Sequence, residues 1–248
     1  MSKYKLYRGD CLEVMKDIED KSIDMILCDL PYGITARNKW DIVIPFDKLW
    51  EYYNRIIKDN GAIVLFGSGM FTSSLMQSNS KMWRYNLIWH KTTPTGFLNA
   101  NRMPLRAHED IVVFYKSLPT YNPQKTNGHE RKVSKAKYKR NSKKTEDYGE
   151  HGLTNYDSTE RYPTSILTFA TDKQKEALHP TQKPVALLEW LIKTYTNEGE
   201  VVLDNCMGSG STGVAALNTN RNFIGIEFDE GYFEIAENRI EEAVNKTK

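Results

Sequence analysis

A chain of 248 residues with a formal net charge of +2 is long enough to bury a sizeable core, in one α/β domain or two small ones. Its hydrophobic content of 40 % and mean hydropathy of -0.59 lie on the polar side of the globular norm, which suggests a body carrying a polar insertion. No apolar run approaches the roughly 18 residues of a membrane span, and the opening MSKYKLYRGD lacks the apolar stretch of a secretory signal, so a cytoplasmic protein is expected.

In chain order, Tyr4–Tyr7 reads as a short strand ending at Gly9-Asp10, and Leu12, Met15 and Ile18 then recur at helical spacing. The strand Ile23–Cys28 runs straight into Asp29-Leu30-Pro31-Tyr32. Turns favour small polar residues, so a tyrosine there calls for a reason, either packing on the core rim or contact with a ligand. Phe46, Leu49, Trp50, Tyr53, Ile56 and Ile57 form an amphipathic stripe, Asn60-Gly61 stops it, and a buried strand starts at Ala62. Two more strands are expected around Tyr85–Trp89 and Ile111–Tyr115, separated by the irregular TTPTGFLNANRMPLRAHE.

From Ser117 to Pro163 apolar periodicity vanishes. Arg131, Lys132, Lys135, Lys137, Lys139, Arg140, Lys143 and Lys144 follow one another without an acid between them. Such a run is either a solvated loop or a track for phosphates, and the neighbouring tyrosines suit nucleic acid. Order returns after Leu178 with a helix opened by Pro184. Strand, glycine loop, helix and strand follow in EVVLDNCMGSGSTGVAALNTNRNFIGIE, before a last amphipathic helix through Tyr232, Ala236 and Ile240. Alternating strands and helices imply a mostly parallel sheet covered on both faces.

Gly208, Gly210 and Gly213 have the GxGxxG spacing, and Glu227 closes the next strand. That pattern admits a close-approaching adenosine cofactor, with the acid on its ribose. A dinucleotide needs an uncluttered helix N-terminus for its pyrophosphate. Asp204 places a carboxylate near that mouth, which suits the ammonium of S-adenosylmethionine better. Cys11, Cys28 and Cys206 are too few and scattered for disulfides or a paired-cysteine metal site, so no metal is expected.

Three motifs, DLPY at Asp29–Tyr32, HPTQKP at His179–Pro184 and DNCMGSGST at Asp204–Thr212, resemble those of the β-class DNA amino-methyltransferases, in the order of that class. The resemblance implies a doubly wound, mostly parallel, seven-stranded Rossmann-like sheet. Residues 1–116 and 164–248 would form the catalytic domain, and 117–163 an inserted basic target-recognition region. It implies S-adenosyl-L-methionine as cofactor and double-stranded DNA as substrate, with a homodimer and a cognate restriction endonuclease as partners the class allows. An initial Asp points mainly to adenine N6, while Leu30 departs from the usual proline at its position. Cytosine N4 methylation, a DNA-binding module without turnover, an NAD enzyme and a glutamine methyltransferase stand as alternatives. Cytosine C5 chemistry would need a nucleophilic cysteine, and no Pro-Cys pair occurs.

By the same resemblance, Asp29 and the Leu30 carbonyl accept hydrogen bonds from the target amine, Pro31 aims that carbonyl, and Tyr32 stacks on the flipped base. Asp10 and Cys11 would line the cofactor's adenine with Phe228, and Glu227 would take the ribose hydroxyls. Asp204, Cys206, Met207, Gly208, Ser209, Gly210, Ser211 and Thr212 would cradle the methionine end, with Thr181 and Lys183 on its carboxylate.

Overall fold

The computed structural model describes residues 3–33, 42–134, 155–171 and 182–246. In chain order the strands are β1 (Tyr4–Arg8), β2 (Ile23–Cys28), β3 (Ile57–Gly67), β4 (Trp83–Thr95), β5 (Arg106–Phe114), β6 (Lys132–Ser134), β7 (Tyr156–Ser158), β8 (Ile166–Phe169), β9 (Val201–Asp204) and β10 (Asn222–Glu227). The α-helices are α1 (Cys11–Val14), α2 (Phe46–Ile56), α3 (Met70–Ser78), α4 (Val185–Tyr195), α5 (Ser211–Asn218) and α6 (Glu230–Lys246).

Eight strands form one sheet in the order β1-β10-β9-β2-β3-β5-β4-β8. Only β5 runs antiparallel to its neighbours. β2 is buried along its whole length, and its side chains alternate between two cores. Met25 and Leu27 face the side of Leu187, Leu191, Ala215 and Ile240 from α4, α5 and α6. Ile26 and Cys28 face Met15, Leu49, Tyr53 and Leu75 on the other side. Cover on both faces is why this strand reads as an unbroken apolar run.

The mostly parallel doubly wound sheet is the expected one, with an eighth strand added. β8 lies between Pro163 and Leu178, where no element is expected from the sequence, because only Leu167 of its four residues is buried. Asn60-Gly61 does not stop α2, which ends at Ile56. The pair sits within β3, where the register slips between Ile23↔Ile57 and Met25↔Ala62. A Cβ on Gly61 would come within 2.7 Å of Ile57 and 2.9 Å of the Asp24 carbonyl. α3 escaped notice because Thr, Ser and Gln dilute its two buried apolar positions, Phe71 and Leu75.

The chain divides into two compact units, 1–122 with 165–248, and 123–164. The first unit extends to Asn122, beyond the expected boundary at 117, because this segment is tied to it by hydrogen bonds. Ser117 N donates to the Asp59 carbonyl and Asn122 N to the Thr194 carbonyl. In the second unit β6 and β7 pair antiparallel. No described helix is long and apolar enough to cross a membrane.

Candidate active site

The carboxyl ends of the parallel strands carry Asp10, Glu227, Asp204 and Asp29, after or at the ends of β1, β10, β9 and β2 respectively. β2 and β9 are neighbours, and the chain leaves them in opposite directions, toward β3 and toward β10. Such a switch point opens a crevice at the sheet's carboxyl edge, where ligands bind in this architecture.

On one side of the crevice is the glycine loop. Gly210 precedes α5 with φ 78, a left-handed backbone that favours glycine. A Cβ there would lie 2.9 Å from that of Ala236. Arg239 of α6 donates to the Ser209 carbonyl and to the Ser209 and Ser211 hydroxyls, holding the loop from behind. Glu227 is buried, and its two oxygens accept from the Gly208 and Asp229 amides, each at 2.8 Å. Burial pushes its carboxyl up, against the pull of those amides. Each oxygen keeps acceptor capacity for a hydroxyl.

Asp204 is 4 % exposed and accepts from the Cys206 amide at 3.1 Å. Burial raises its carboxyl to about 6, against the pull of the Thr212 hydroxyl. Cys11, Cys28 and Cys206 are free thiols. Their mutual hydrogen bonds and burial hold Cys11 well above the ordinary thiol range, and burial pushes Cys28 up to about 12. Among the described residues no acid, Cys and His cluster could hold a metal. Asp10 caps α1 by accepting from Leu12 N at 2.8 Å, and Phe228 is 74 % exposed beyond Glu227.

Across the crevice lies a buried charge network. Asp29 Oδ1 accepts from the Tyr32 hydroxyl at 2.7 Å, while Oδ2 pairs with the Lys183 ammonium. Lys183 also lies 3.4 Å from Glu109 Oε2 and 5.0 Å from the Phe66 ring centroid. The second Glu109 oxygen pairs with Lys91, whose ammonium sits 4.8 Å from the Trp89 ring. Burial alone would lower Lys183, but Asp29 and Glu109 outweigh it and hold it above its ordinary value. Burial alone would raise Glu109, yet Lys183 and Lys91 outweigh it and keep it below.

Among the described residues two buried side-chain atoms lack a hydrogen-bond partner, Glu109 Oε2 and Gln182 Nε2. Both belong to this site. Gln182 Oε1 accepts from the Ser209 hydroxyl of the glycine loop at 3.3 Å, so its orphaned donor is at the loop's edge. Leaving a buried donor unpaired costs about 1–3 kcal/mol, and an anionic ligand there would remove that cost. A buried carboxylate for an ammonium, a bare donor for a carboxylate and Glu227 for hydroxyls together fit the amino-acid and ribose parts of S-adenosylmethionine.

Several expectations need revision. Lys183 is committed to two carboxylates, which leaves Gln182 as the described group of that motif suited to an anion. Tyr32 stacks on Phe71 with centroids 4.6 Å apart and an interplanar angle of 28°, so at most one ring face is left for a base. Leu30 is buried, its side chain anchoring the turn among Leu49, Phe71 and Leu75, and Pro31 is half-buried. Arg131 forms two 2.7 Å hydrogen bonds with Asp157, which tie β6 to β7 and leave its remaining guanidinium donors uncommitted to that carboxylate. Lys132 is exposed on β6. Thr181, Lys135, Lys137, Lys139, Arg140, Lys143 and Lys144 lie outside the described residues.

The sequence reading missed Glu109, Lys91, Gln182 and Arg239. Glu109 follows His108 just ahead of the apolar run at Ile111, and a charge directly abutting a buried strand is the signal that could have drawn attention to it.

Residues 23–238 match a family model described as DNA methylase, of the N6/N4 type. The type II methyltransferase M.HinfI of Haemophilus influenzae is 30 % identical, over 96 % of this chain and 68 % of its own. The type II methyltransferase M2.DpnII of Streptococcus pneumoniae is 27 % identical, over 99 % of this chain and 92 % of its own. A crystal structure of an M1.HpyAVI–SAM complex superposes with a TM-score of 0.63 at 26 % identity, covering 95 % of this chain and 99 % of that one.

Proposed function

Because the chain belongs to the N6/N4 family of DNA methylases and takes S-adenosylmethionine as its cofactor, we propose that it methylates the N6 amine of a flipped adenine at a specific site in duplex DNA. The observation that carries this reading is the carboxylate of Asp29, paired with Lys183 and bonded to Tyr32, at the head of the DLPY turn.

An exocyclic amine is a poor nucleophile while its lone pair is delocalised into the base. Asp29 accepts one amine hydrogen and the Leu30 carbonyl the other, which favours a pyramidal nitrogen as positive charge develops on it. Pro31 restricts the backbone that aims the carbonyl. Lys183 and Tyr32 hold the Asp29 carboxylate in place, and an ionised carboxylate offers acceptors only. Bound S-adenosylmethionine supplies an electrophilic methyl group on a sulfonium. Holding amine and methyl in line does much of the catalytic work. The paired amine is out of reach in the duplex, so the base must be flipped.

In the cofactor crevice, Glu227 takes the ribose hydroxyls and Asp204 faces the ammonium. Asp10, Cys11 and Phe228 border the adenine. Gln182 donates to the carboxylate with Thr181 beside it in sequence. The unit at 123–164 and its basic stretch contact DNA. The type II relatives suggest a modification enzyme working in the cytoplasm beside a cognate restriction endonuclease. Cytosine N4, an amine with the same demands, is the second reading. Single-molecule sequencing of DNA from cells expressing the protein tests both. Methylated adenine in one recurring sequence is expected, and N4-methylcytosine would replace the first reading by the second.

A further inference from the structure

Asp29 meets the target amine in the proposed reaction, yet both of its oxygens are already engaged, Oδ1 by Tyr32 and Oδ2 by Lys183. A carboxylate oxygen can accept more than one hydrogen bond, but an amine that approaches Oδ2 from the side held by the ammonium displaces it. A buried ammonium is not released without a new partner, since an uncompensated charge in the interior is strongly unfavourable. The structure holds one. Glu109 Oε2 is buried, has no hydrogen-bond partner, and lies 3.4 Å from the Lys183 nitrogen. Closing that gap by about 0.5 Å would give a charge-assisted hydrogen bond of ordinary length. Lys91 holds the other oxygen of Glu109, which fixes the carboxylate with Oε2 toward Lys183.

We propose that Glu109 is the receiver for Lys183. When the target amine donates to Asp29, the ammonium leaves Oδ2 and closes on Glu109 Oε2. The receiver is needed again after methyl transfer, when the nitrogen gives its proton to Asp29. A neutral carboxylic acid no longer holds an ammonium, and Lys183 stays on Glu109 until Asp29 passes that proton to water. Lys183 and Glu109 are positioning residues in this scheme, acting on the base through Asp29. The inference rests on the amine chemistry proposed above.

The test is binding without cofactor to two duplexes of the mapped recognition sequence, one with the target adenine and one with purine, which lacks the N6 amine. Wild type should prefer adenine by about tenfold or more, the worth of a hydrogen bond to a charged group. Glu109→Gln should bring that ratio close to one while leaving affinity for the purine duplex and for S-adenosylmethionine unchanged. In a Lys183→Met background, where there is no clamp to release, adding Glu109→Gln should change the ratio no further. An unaltered ratio in Glu109→Gln, or equal weakening toward both duplexes, would overturn the proposal. Should that variant not fold, Glu109→Asp takes its place, with a reduced ratio expected and a wild-type ratio contrary. If the mapped base is cytosine, the comparison is made with 2-pyrimidinone, so failure of the adenine reading stays distinct from failure of the receiver.

Discussion

Lys183 and Asp29 lie 154 positions apart in the chain and form an ion pair at the carboxyl edge of the sheet, with side chains 8 % and 25 % exposed. One comes from the turn after β2 and the other from just before α4. Their pairing joins the DLPY turn to the segment whose neighbour, Gln182, touches the glycine loop. The DLPY turn and the glycine loop are thus linked by two consecutive residues.

Asp29→Ala should reduce methylation by about 10²–10³, the usual loss for one preorganised group acting on developing charge. Affinity for S-adenosylmethionine should stay within about twofold, because the proposed role of Asp29 is on the target amine and not on the cofactor. Single-turnover rates and calorimetry measure the two quantities separately. A rate close to wild type would remove Asp29 from the chemistry.

With Asp204 facing the cofactor's ammonium, as proposed, cofactor binding should be sensitive to pH. Its carboxyl, raised to about 6 by burial, must be ionised to attract an ammonium, so affinity should fall as pH drops through about 6. Stability runs the other way. The unfolded carboxyl titrates near about 3.9, and between the two values the folded state holds more protons. The contribution of Asp204 is therefore fully present below the unfolded value and is lost as pH rises through about 6. Glu227 is also raised and adds to the same trend, so Asp204→Asn is the control. It should weaken cofactor binding at neutral pH and flatten both profiles. Identical profiles in wild type and variant would dismiss the assignment.

Glu227→Ala should weaken S-adenosylmethionine binding by about 1.5–3 kcal/mol, the range for hydrogen bonds to a charged group. The same change frees the Gly208 amide that Glu227 now satisfies. Titration with the cofactor and with NAD checks the claim. Heat from NAD alone would reverse the choice of cofactor.

Gly210→Ala should cost about 1–3 kcal/mol of stability, because alanine is strained at positive φ and adds bulk where the loop already packs on α6. The new methyl would stand 2.9 Å from that of Ala236. Urea unfolding would show the lowered midpoint, and an unmoved midpoint would mean the loop and α6 separate freely.

The parts of this fold legible in the sequence are those with strong local signals. β2 and β9 announce themselves as apolar runs, and α2 by the stripe Leu49, Trp50, Tyr53 and Ile56. The placement of Asp29, Asp204 and Glu227 at the carboxyl ends of β2, β9 and β10 is legible, because each is the acid that closes an apolar run. Glu109 and Lys91 were not, since they meet across β4 and β5 and come together with Lys183 only when the segment before α4 is brought over. Long-range pairing of charges leaves no periodicity to read. The motif singles out Lys183 but not its partners, because a motif does not give the direction of a side chain.

The basic stretch after Arg131 carries a prediction about DNA. Replacing Lys135, Lys137, Lys139 and Arg140 by Ala should weaken binding to all sequences, with a salt slope shallower by about 0.9 for each phosphate no longer neutralised. Discrimination between sequences should change less, since phosphate contacts position and base contacts specify. Parallel slopes and equal affinities would reduce the stretch to a solvated loop.

The central claim is methyl transfer from S-adenosylmethionine to adenine N6. Its most direct measurement is incubation with methyl-tritiated cofactor and duplex DNA, digestion to nucleosides, and chromatography of the label. The account predicts tritium in N6-methyldeoxyadenosine, abolished by Asp29→Ala. Label in N4-methyldeoxycytidine, or DNA left unlabelled by a folded, cofactor-binding protein, would contradict it.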